Sequence, residues 1–328
     1  MTNISIKGVG TYVPDRILTN DDLSKMVDTS DEWIVTRSGI RERHIARPDE
    51  STSDLCVKAA ERAIKDANID KNEIDLIIVG TSSPDMLTPS TAVIVQHKLG
   101  LRDIPAFDFG AACSGFQYGL DIARSMMVNP SYRTVLLICG DKLSSILDWE
   151  DRSTCVLFGD GAGAMILRKA EDSQSGIIDV IISSDGEYAP ILNVPAGGSM
   201  EPASAATVQK RRHFLKMEGR EVFKLAIQKM SDVIALILAR NNLSIDQIDH
   251  VVPHQANVRI IDAIAEKLEI PRQKMRITVD KFGNTSASSI LLAIDENRRN
   301  GTIKNGDVIL TPGFGAGLTW GAAIIRLL

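Results

Sequence analysis

The chain has 328 residues, a net charge of −5 and a pI near 5.6, with 44% hydrophobic and 24% charged residues. This composition excludes a disordered or fibrous protein and predicts a globular one, large enough for two domains. The acidic balance argues against nucleic-acid binding over a broad surface. Since no apolar run approaches the roughly 20 residues of a membrane span and the N-terminus does not resemble a signal peptide, we expect a cytoplasmic protein that binds neither nucleic acid nor membrane.

Alternating helices and buried strands run through the first half of the chain. An α/β fold follows from this alternation. Thr29 or Ser30 is placed to cap a helix that begins before Trp33, because hydroxyls accept hydrogen bonds from the free N–H groups of a helix start. The predicted strands are 4–13, 74–81, 135–140 and 162–167, and the predicted helices are 52–68, 90–99 and 116–127.

The second half repeats this plan. Phe109-Gly110 returns as Phe282-Gly283, and 135–138 returns as 308–310, both at an offset of 173 residues. The repeat predicts a duplicated α/β unit with halves 1–172 and 173–328 packed face to face. A stretch between them, 195–212, has the composition of a loop, and a long loop in a compact fold often forms a lid or binding loop.

Cys113 lies where a strand is predicted to end and a helix to begin. A thiol there faces unpaired backbone N–H groups and the positive end of the helix dipole, so we expect its pKa to be lowered and the thiolate to act as a nucleophile. The alternative is a small buried cysteine that only packs this corner. The other three cysteines, in no C-x-x-C pair, predict neither a disulfide framework nor a zinc site.

Two polar clusters follow strands of the second half and contain His254 and Asn284. Ligands of such sheets bind at the carboxyl ends of the strands, so these side chains are candidates for a site shared with Cys113. Taken alone, the histidine is also compatible with a structural role and the asparagine with a turn. A glycine-rich segment, 313–321, offers free N–H groups to a developing oxyanion or forms a tight turn. A second one, 159–163, lacks nucleotide-loop spacing and indicates glycine packing.

Taken together, these motifs resemble the β-ketoacyl-acyl-carrier-protein synthase III family over nearly the entire chain. The resemblance rests on the motifs Asp31-Glu32-Trp33-Ile34, Thr36 to Arg43, Ala112-Cys113-Ser114-Gly115, Phe158 to Gly163, His254-Gln255-Ala256-Asn257 and Gly283-Asn284-Thr285-Ser286. It implies a thiolase-like, five-layered α-β-α-β-α fold, a homodimer, and no metal or redox cofactor. It also implies acyl-coenzyme A and malonyl-acyl carrier protein as substrates of a decarboxylative condensation that starts fatty acid synthesis.

The resemblance assigns roles to the candidate residues. Cys113 would carry the acyl group as a thioester, while His254 and Asn284 would hydrogen-bond the malonyl thioester carbonyl. The backbone N–H groups of Cys113 and Ala316 would form the oxyanion hole. Coenzyme A binding would fall to Thr29, Trp33, Arg37, Arg152 and Phe223, and carrier-protein docking to Lys224 and Arg259.

Thr88 aligns where relatives that take short primers place a phenylalanine reaching across the dimer into the acyl pocket. We therefore expect a pocket that accepts acyl groups longer than acetyl. Three other functions stay open on sequence: a related acyltransferase that primes or tailors a polyketide, a cysteine hydrolase, and a non-enzymatic acyl-carrier binding protein.

Overall fold

The computed structural model describes residues 3–170 and 176–327. In these residues, two large mixed β-sheets, two small two-stranded sheets and the helices around them form the fold. The strands are β1 (Ile4–Tyr12), β2 (Ile17–Thr19), β3 (Glu42–His44), β4 (Leu76–Gly80), β5 (Ala106–Phe109), β6 (Thr134–Asp141), β7 (Gly161–Lys169), β8 (Gly176–Ser184), β9 (Leu192–Asn193), β10 (Lys216–Met217), β11 (His250–Val251), β12 (Val308–Gly315) and β13 (Thr319–Arg326).

The helices include every one predicted from the sequence. They are α1 (Asn20–Ser24), α2 (Asp31–Ser38), α3 (Thr52–Ala67), α4 (Thr91–Lys98), α5 (Gly115–Met126), α6 (Ala205–Gln209), α7 (Gly219–Arg240), α8 (Val258–Lys267), α9 (Val279–Phe282) and α10 (Ser288–Arg299). In 3–170 and 176–327, none of them combines the length and apolar character needed to cross a membrane.

The two large sheets share one strand pattern. The first has the order β1-β7-β6-β4-β5 and the second β8-β13-β12-β11. In each, the first two pairs are antiparallel and the pair β6–β4 or β12–β11 is parallel. In the second sheet, the position that corresponds to β5 is occupied by a single parallel bridge between Val251 and Met275. The boundary we propose between the halves, at 172/173, lies outside the described residues.

Five layers follow from the positions of the hydrophobic clusters. The central cluster joins α5 and α10 with the facing sides of both sheets, through residues such as Leu120 and Ile290. A second cluster packs α3 and α4 on the outside of the first sheet, and a third packs α7 and α8 on the outside of the second. The order is α-β-α-β-α, as the resemblance implies. Every residue of β6 is buried, because both faces of the sheet are covered.

The stretch 313–321 forms a tight turn, one of its two alternatives from the sequence, whereas the predicted loop 195–212 contains a short helix. The glycine-rich stretch 313–321 is mostly strand, since Gly315 ends β12 and Thr319 begins β13, leaving a three-residue turn. The stretch 195–212 contains α6, which Ser204 caps by accepting a hydrogen bond from the N–H of Thr207 at 3.2 Å. Small residues without bulky side chains suit both a tight hairpin and a loop, so composition did not distinguish the two.

Candidate active site

Cys113, His254 and Asn284 line one narrow cavity, although they are far apart in the sequence. Cys113 follows β5, His254 follows β11, and Asn284 follows α9. The backbone N–H of His254 donates to the carbonyl of Pro312 at 2.9 Å, which ties it to β12. The duplicated fold thus brings together the three polar side chains that the sequence singled out.

Cys113 lies in a short 3-10 turn, Ala112–Ser114, directly before α5. Gly315 packs against its backbone, since a Cβ on Gly315 would come within 2.5 Å of Cys113 N. The expected lowering of the thiol pKa is wrong. Burial raises the pKa of the Cys113 thiol to about 12, although a hydrogen bond from the Ser286 side chain acts in the opposite direction. The cost of removing a thiolate from water exceeds the gain from the helix start.

His254 is neutral at physiological pH, because burial lowers its pKa to about 4. Only 3% of the residue is exposed. Its Nδ1 lies 2.8 Å from the hydroxyl of Ser289. A neutral imidazole has one N–H, so this ring acts as a hydrogen-bond donor or acceptor rather than a cation.

Asn284 is held on both sides of its backbone. Its N–H donates to the Leu157 carbonyl at 2.8 Å, and its carbonyl accepts from Gly159 N–H at 3.0 Å. Its Oδ1 accepts from Ser286 N–H at 2.9 Å. Because Oδ1 is engaged by a donor, the amide is oriented with Nδ2 as the group left to a ligand.

Of the two residues expected to form the oxyanion hole, Cys113 lines the cavity and Ala316 does not. Cys113 and Gly315 line the cavity. Ala316 lies next in the chain, in the turn between β12 and β13, and is not among the described residues that line it. Its N–H as a second oxyanion donor therefore stays a prediction.

Half-buried Trp33 and the exposed Arg37 and Arg152 form one cluster. The Arg37 guanidinium lies 4.6 Å and that of Arg152 5.3 Å from the centre of the Trp33 ring. Asn257, which lines the cavity, donates from Nδ2 to the Arg37 carbonyl at 3.0 Å and so joins the two places. An indole beside two cations suits a flat aromatic group that carries phosphates.

The remaining predicted residues lie around these two places. Phe223 lines the cavity, and the Arg259 guanidinium sits 5.5 Å from its ring centre. Lys224 and Arg259 are exposed. Thr29 precedes the cap of α2, and its buried hydroxyl has no hydrogen-bond partner among the described residues. Thr88 is exposed and does not line the cavity of this chain.

Sequence reasoning missed most of the apolar wall of the cavity. Val222, Ala226 and Met230 recur every four residues along α7, which predicts an apolar face but not that it lines a cavity. The lining residues that the sequence did not single out as site residues are Leu157, Phe158, Leu192, Met217, Gly219, Val222, Ala226, Met230, Ala256, Asn257, Ile260, Phe314 and Gly315.

Comparisons with known proteins identify the family of the chain. The family models for 3-oxoacyl-[acyl-carrier-protein] synthase III and for its C-terminal part match residues 107–186 and 238–327. A β-ketoacyl-[acyl-carrier-protein] synthase III of Caldanaerobacter subterraneus subsp. tengcongensis is 51% identical over 98% of this chain and 97% of its own.

Two solved structures superpose over 99% of this chain. The 3-oxoacyl-[acyl-carrier-protein] synthase III of Aquifex aeolicus is 44% identical, with a TM-score of 0.91 over all of its chain. The priming β-ketosynthase of the R1128 polyketide pathway is 34% identical, with a TM-score of 0.90 over 96% of its chain. From its motifs, its five layers and these relatives, the chain belongs to the β-ketoacyl-[acyl-carrier-protein] synthase III family.

Proposed function

We propose that the chain condenses an acyl-coenzyme A primer with malonyl-acyl carrier protein, giving 3-oxoacyl-acyl carrier protein, coenzyme A and carbon dioxide. The observation that carries this proposal is the meeting of Cys113, His254 and Asn284 at one cavity. A nucleophile and two neutral hydrogen-bond donors are the groups needed for acyl transfer followed by stabilisation of an enolate.

In the first step the sulfur of Cys113 attacks the thioester carbonyl of acyl-coenzyme A. The tetrahedral intermediate collapses with release of coenzyme A thiolate, which takes up the proton lost by Cys113. The Cys113 N–H, beside Gly315, supports the oxyanion together with the predicted Ala316 donor. Since the resting thiol is protonated, proton loss accompanies attack rather than preceding it.

In the second step malonyl-acyl carrier protein loses carbon dioxide, and the electron pair of the broken C–C bond forms a thioester enolate. Nε2–H of neutral His254 and Nδ2–H of Asn284 donate to its oxygen. The enolate carbon then attacks the acyl carbonyl on Cys113, and the cysteine sulfur leaves as a thiolate, which takes up a proton from water to restore the resting thiol. We propose that no metal or redox cofactor takes part, because these two donors supply the stabilisation; activity retained after treatment with a chelator is the expected result.

The exposed cations near the cavity support the two carrier substrates. The cluster of Trp33, Arg37 and Arg152 fits the nucleotide of coenzyme A, and Lys224 with Arg259 fits an acidic carrier protein. We propose a cytoplasmic enzyme, because its four cysteines are free in the structure, as in proteins of reducing compartments.

We also propose a homodimer, with the segment around Thr88 at the interface. Leu87 is 89% and Met86 49% exposed in the single chain, and both are apolar. Such residues, when adjacent, mark contact surfaces. Leu87→Asp is expected to reduce the mass measured by light scattering from two chains to one. Val128→Asp, at an equally apolar residue that is 70% exposed, is the control and keeps the dimer.

The alternatives have weaker support. The polyketide-priming relative is less similar than the fatty-acid relatives. A cysteine hydrolase uses a histidine that an acidic side chain or amide orients, whereas His254 Nδ1 faces the hydroxyl of Ser289.

The test is the mass of the intact protein after mixing with acyl-coenzyme A, before and after adding malonyl-acyl carrier protein. The wild type gains one acyl group and loses it as 3-oxoacyl-acyl carrier protein. Cys113→Ala gains none, while Cys155→Ala, at a buried cysteine outside the cavity, behaves like the wild type. An adduct that malonyl-acyl carrier protein does not discharge would favour the polyketide-type acyltransferase, and steady release of free acid would favour a hydrolase.

A further inference from the structure

Ser289 is buried at the start of α10, directly behind the imidazole of His254. The residue is 1% exposed. Its Oγ lies 2.8 Å from His254 Nδ1 and accepts a hydrogen bond from Gln255 N–H at 3.1 Å. The hydroxyl therefore bridges a ring nitrogen of His254 and the backbone of the next residue.

The donor and acceptor pattern decides which way the bond to the ring runs. A hydroxyl has one proton, and a buried proton without an acceptor costs about 1–3 kcal/mol. One oxygen lone pair of Ser289 is used by Gln255 N–H. In the part of the chain that the structure describes, His254 Nδ1 is the acceptor within hydrogen-bond distance of this hydroxyl. The serine is thus the donor and Nδ1 the acceptor.

We propose that Ser289 is a positioning residue that keeps neutral His254 in the tautomer with its proton on Nε2. This inference rests on the proposed function, in which Nε2–H donates to the thioester oxygen of the malonyl substrate. The other tautomer places a lone pair there and repels the enolate oxygen. Ser289 does not line the cavity and acts through His254 alone.

One competing acceptor lies close by. The backbone of Ser286 forms a hydrogen bond with His254 that favours the protonated ring, and would hold a proton on the nitrogen it faces. The carbonyl of Ser286 already accepts from Ser289 N–H at 3.1 Å. That bond uses one of the two lone pairs of the carbonyl. Because Nδ1 is already engaged by the Ser289 hydroxyl at 2.8 Å, the proton that the Ser286 backbone favours belongs on Nε2.

Three variants test the assignment. Ser289→Ala removes the donor. Ser289→Thr keeps a hydroxyl at the same place. Ser288→Ala is the matched control, because Ser288 is the buried neighbour on the same helix and its hydroxyl donates to the Thr285 carbonyl at 2.8 Å.

Two half-reactions and one spectrum are measured on the full-length protein. Cys113 acylation by acyl-coenzyme A is expected to stay unchanged in all three variants. Decarboxylation of malonyl-acyl carrier protein falls at least about 10-fold in Ser289→Ala, as when the orienting partner of a functional histidine is lost. It recovers in Ser289→Thr and is unaffected in Ser288→Ala. Long-range ¹H–¹⁵N spectra of ¹⁵N-histidine protein are expected to show neutral His254 with its proton on Nε2 in the wild type and a mixture of the two neutral tautomers in Ser289→Ala.

The inference is overturned if the wild-type spectrum shows the proton on Nδ1, or if Ser289→Ala changes neither the tautomer nor decarboxylation. The wild-type spectrum decides even if Ser289→Ala does not fold. A wild type that forms the Cys113 adduct but never condenses would refute the proposed function. In that event the tautomer still tests the role of Ser289.

Discussion

Asn284 is locked by Ser286, whose backbone N–H donates to the asparagine Oδ1 at 2.9 Å. This bond leaves Nδ2 as the amide group available at the cavity. Asn284→Asp keeps an acceptor for Ser286 and removes the donor. We expect malonyl decarboxylation to fall about 10²–10³-fold, the usual cost of one such donor, while coenzyme A release during Cys113 acylation is largely spared. Equal loss of both half-reactions, measured by carbon dioxide and coenzyme A release, would contradict this division.

Burial of His254 makes stability depend on pH. Its pKa is lowered to about 4, so the unfolded chain, with a histidine pKa near 6.5, binds more protons between these values. The stability present above pH 6.5 is therefore lost as the pH falls toward 4, by up to about 3 kcal/mol.

Denaturant unfolding at pH 7 and pH 5 measures this loss. His254→Gln, which does not titrate, is expected to show a smaller change than the wild type. His97→Gln, at an exposed histidine of α4, is the control and should match the wild type. Identical pH dependence in all three proteins would show that His254 is not the group responsible.

The cluster around Trp33 predicts recognition of the nucleotide end of coenzyme A. Trp33→Ala is expected to raise KM for acyl-coenzyme A about 10-fold to 100-fold, the equivalent of one base-stacking contact, with little change in kcat. An acyl-pantetheine substrate, which lacks the nucleotide, is the internal control because its KM should not change. An equal rise in KM with both substrates would show that Trp33 stabilises the fold and does not bind the nucleotide.

The small side chain of Thr88 leads us to expect that the enzyme accepts acyl primers longer than acetyl. In the homodimer that we propose, a phenylalanine at this position is expected to reach into the partner's pocket. Thr88→Phe should therefore lower kcat/KM for six-carbon and longer primers and leave acetyl-coenzyme A nearly unaffected. Competition between primers of graded length, with products separated by mass, gives the ratio directly. If the wild type accepts acetyl-coenzyme A and no longer primer, the small side chain of Thr88 does not determine the size of the acyl pocket.

The α/β alternation could be predicted from the sequence pattern, the five layers were implied by the family resemblance, and the three polar residues singled out from the sequence line one cavity. Helix periodicity and buried apolar runs depend on local chemistry, and β1, α3 and α5 lie within a few residues of their predicted bounds. Cavity walls depend on how distant elements pack. Met217 of β10 and Phe314 of β12 line the same cavity, but no sequence pattern around either residue indicates this.

The pKa of Cys113 also could not be predicted from the local sequence. Its place before α5 could be read from the sequence, but the burial that outweighs the helix dipole depends on side chains from both halves. Ser289 is a comparable case. Of the serines in the segment 286–289, its hydroxyl lies at hydrogen-bond distance from His254 Nδ1, and no sequence pattern in that segment distinguishes it from the others.

The protonated state of Cys113 has a consequence for the lifetime of the enzyme. Peroxides attack thiolates, and their products with cysteine include acids that the cell does not reduce. A thiol with a pKa of about 12 presents little thiolate at neutral pH, so we expect Cys113, the nucleophile that we propose, to resist oxidation between turnovers. On the proposed mechanism, burial would thus protect the sulfur that carries the acyl group in every catalytic cycle.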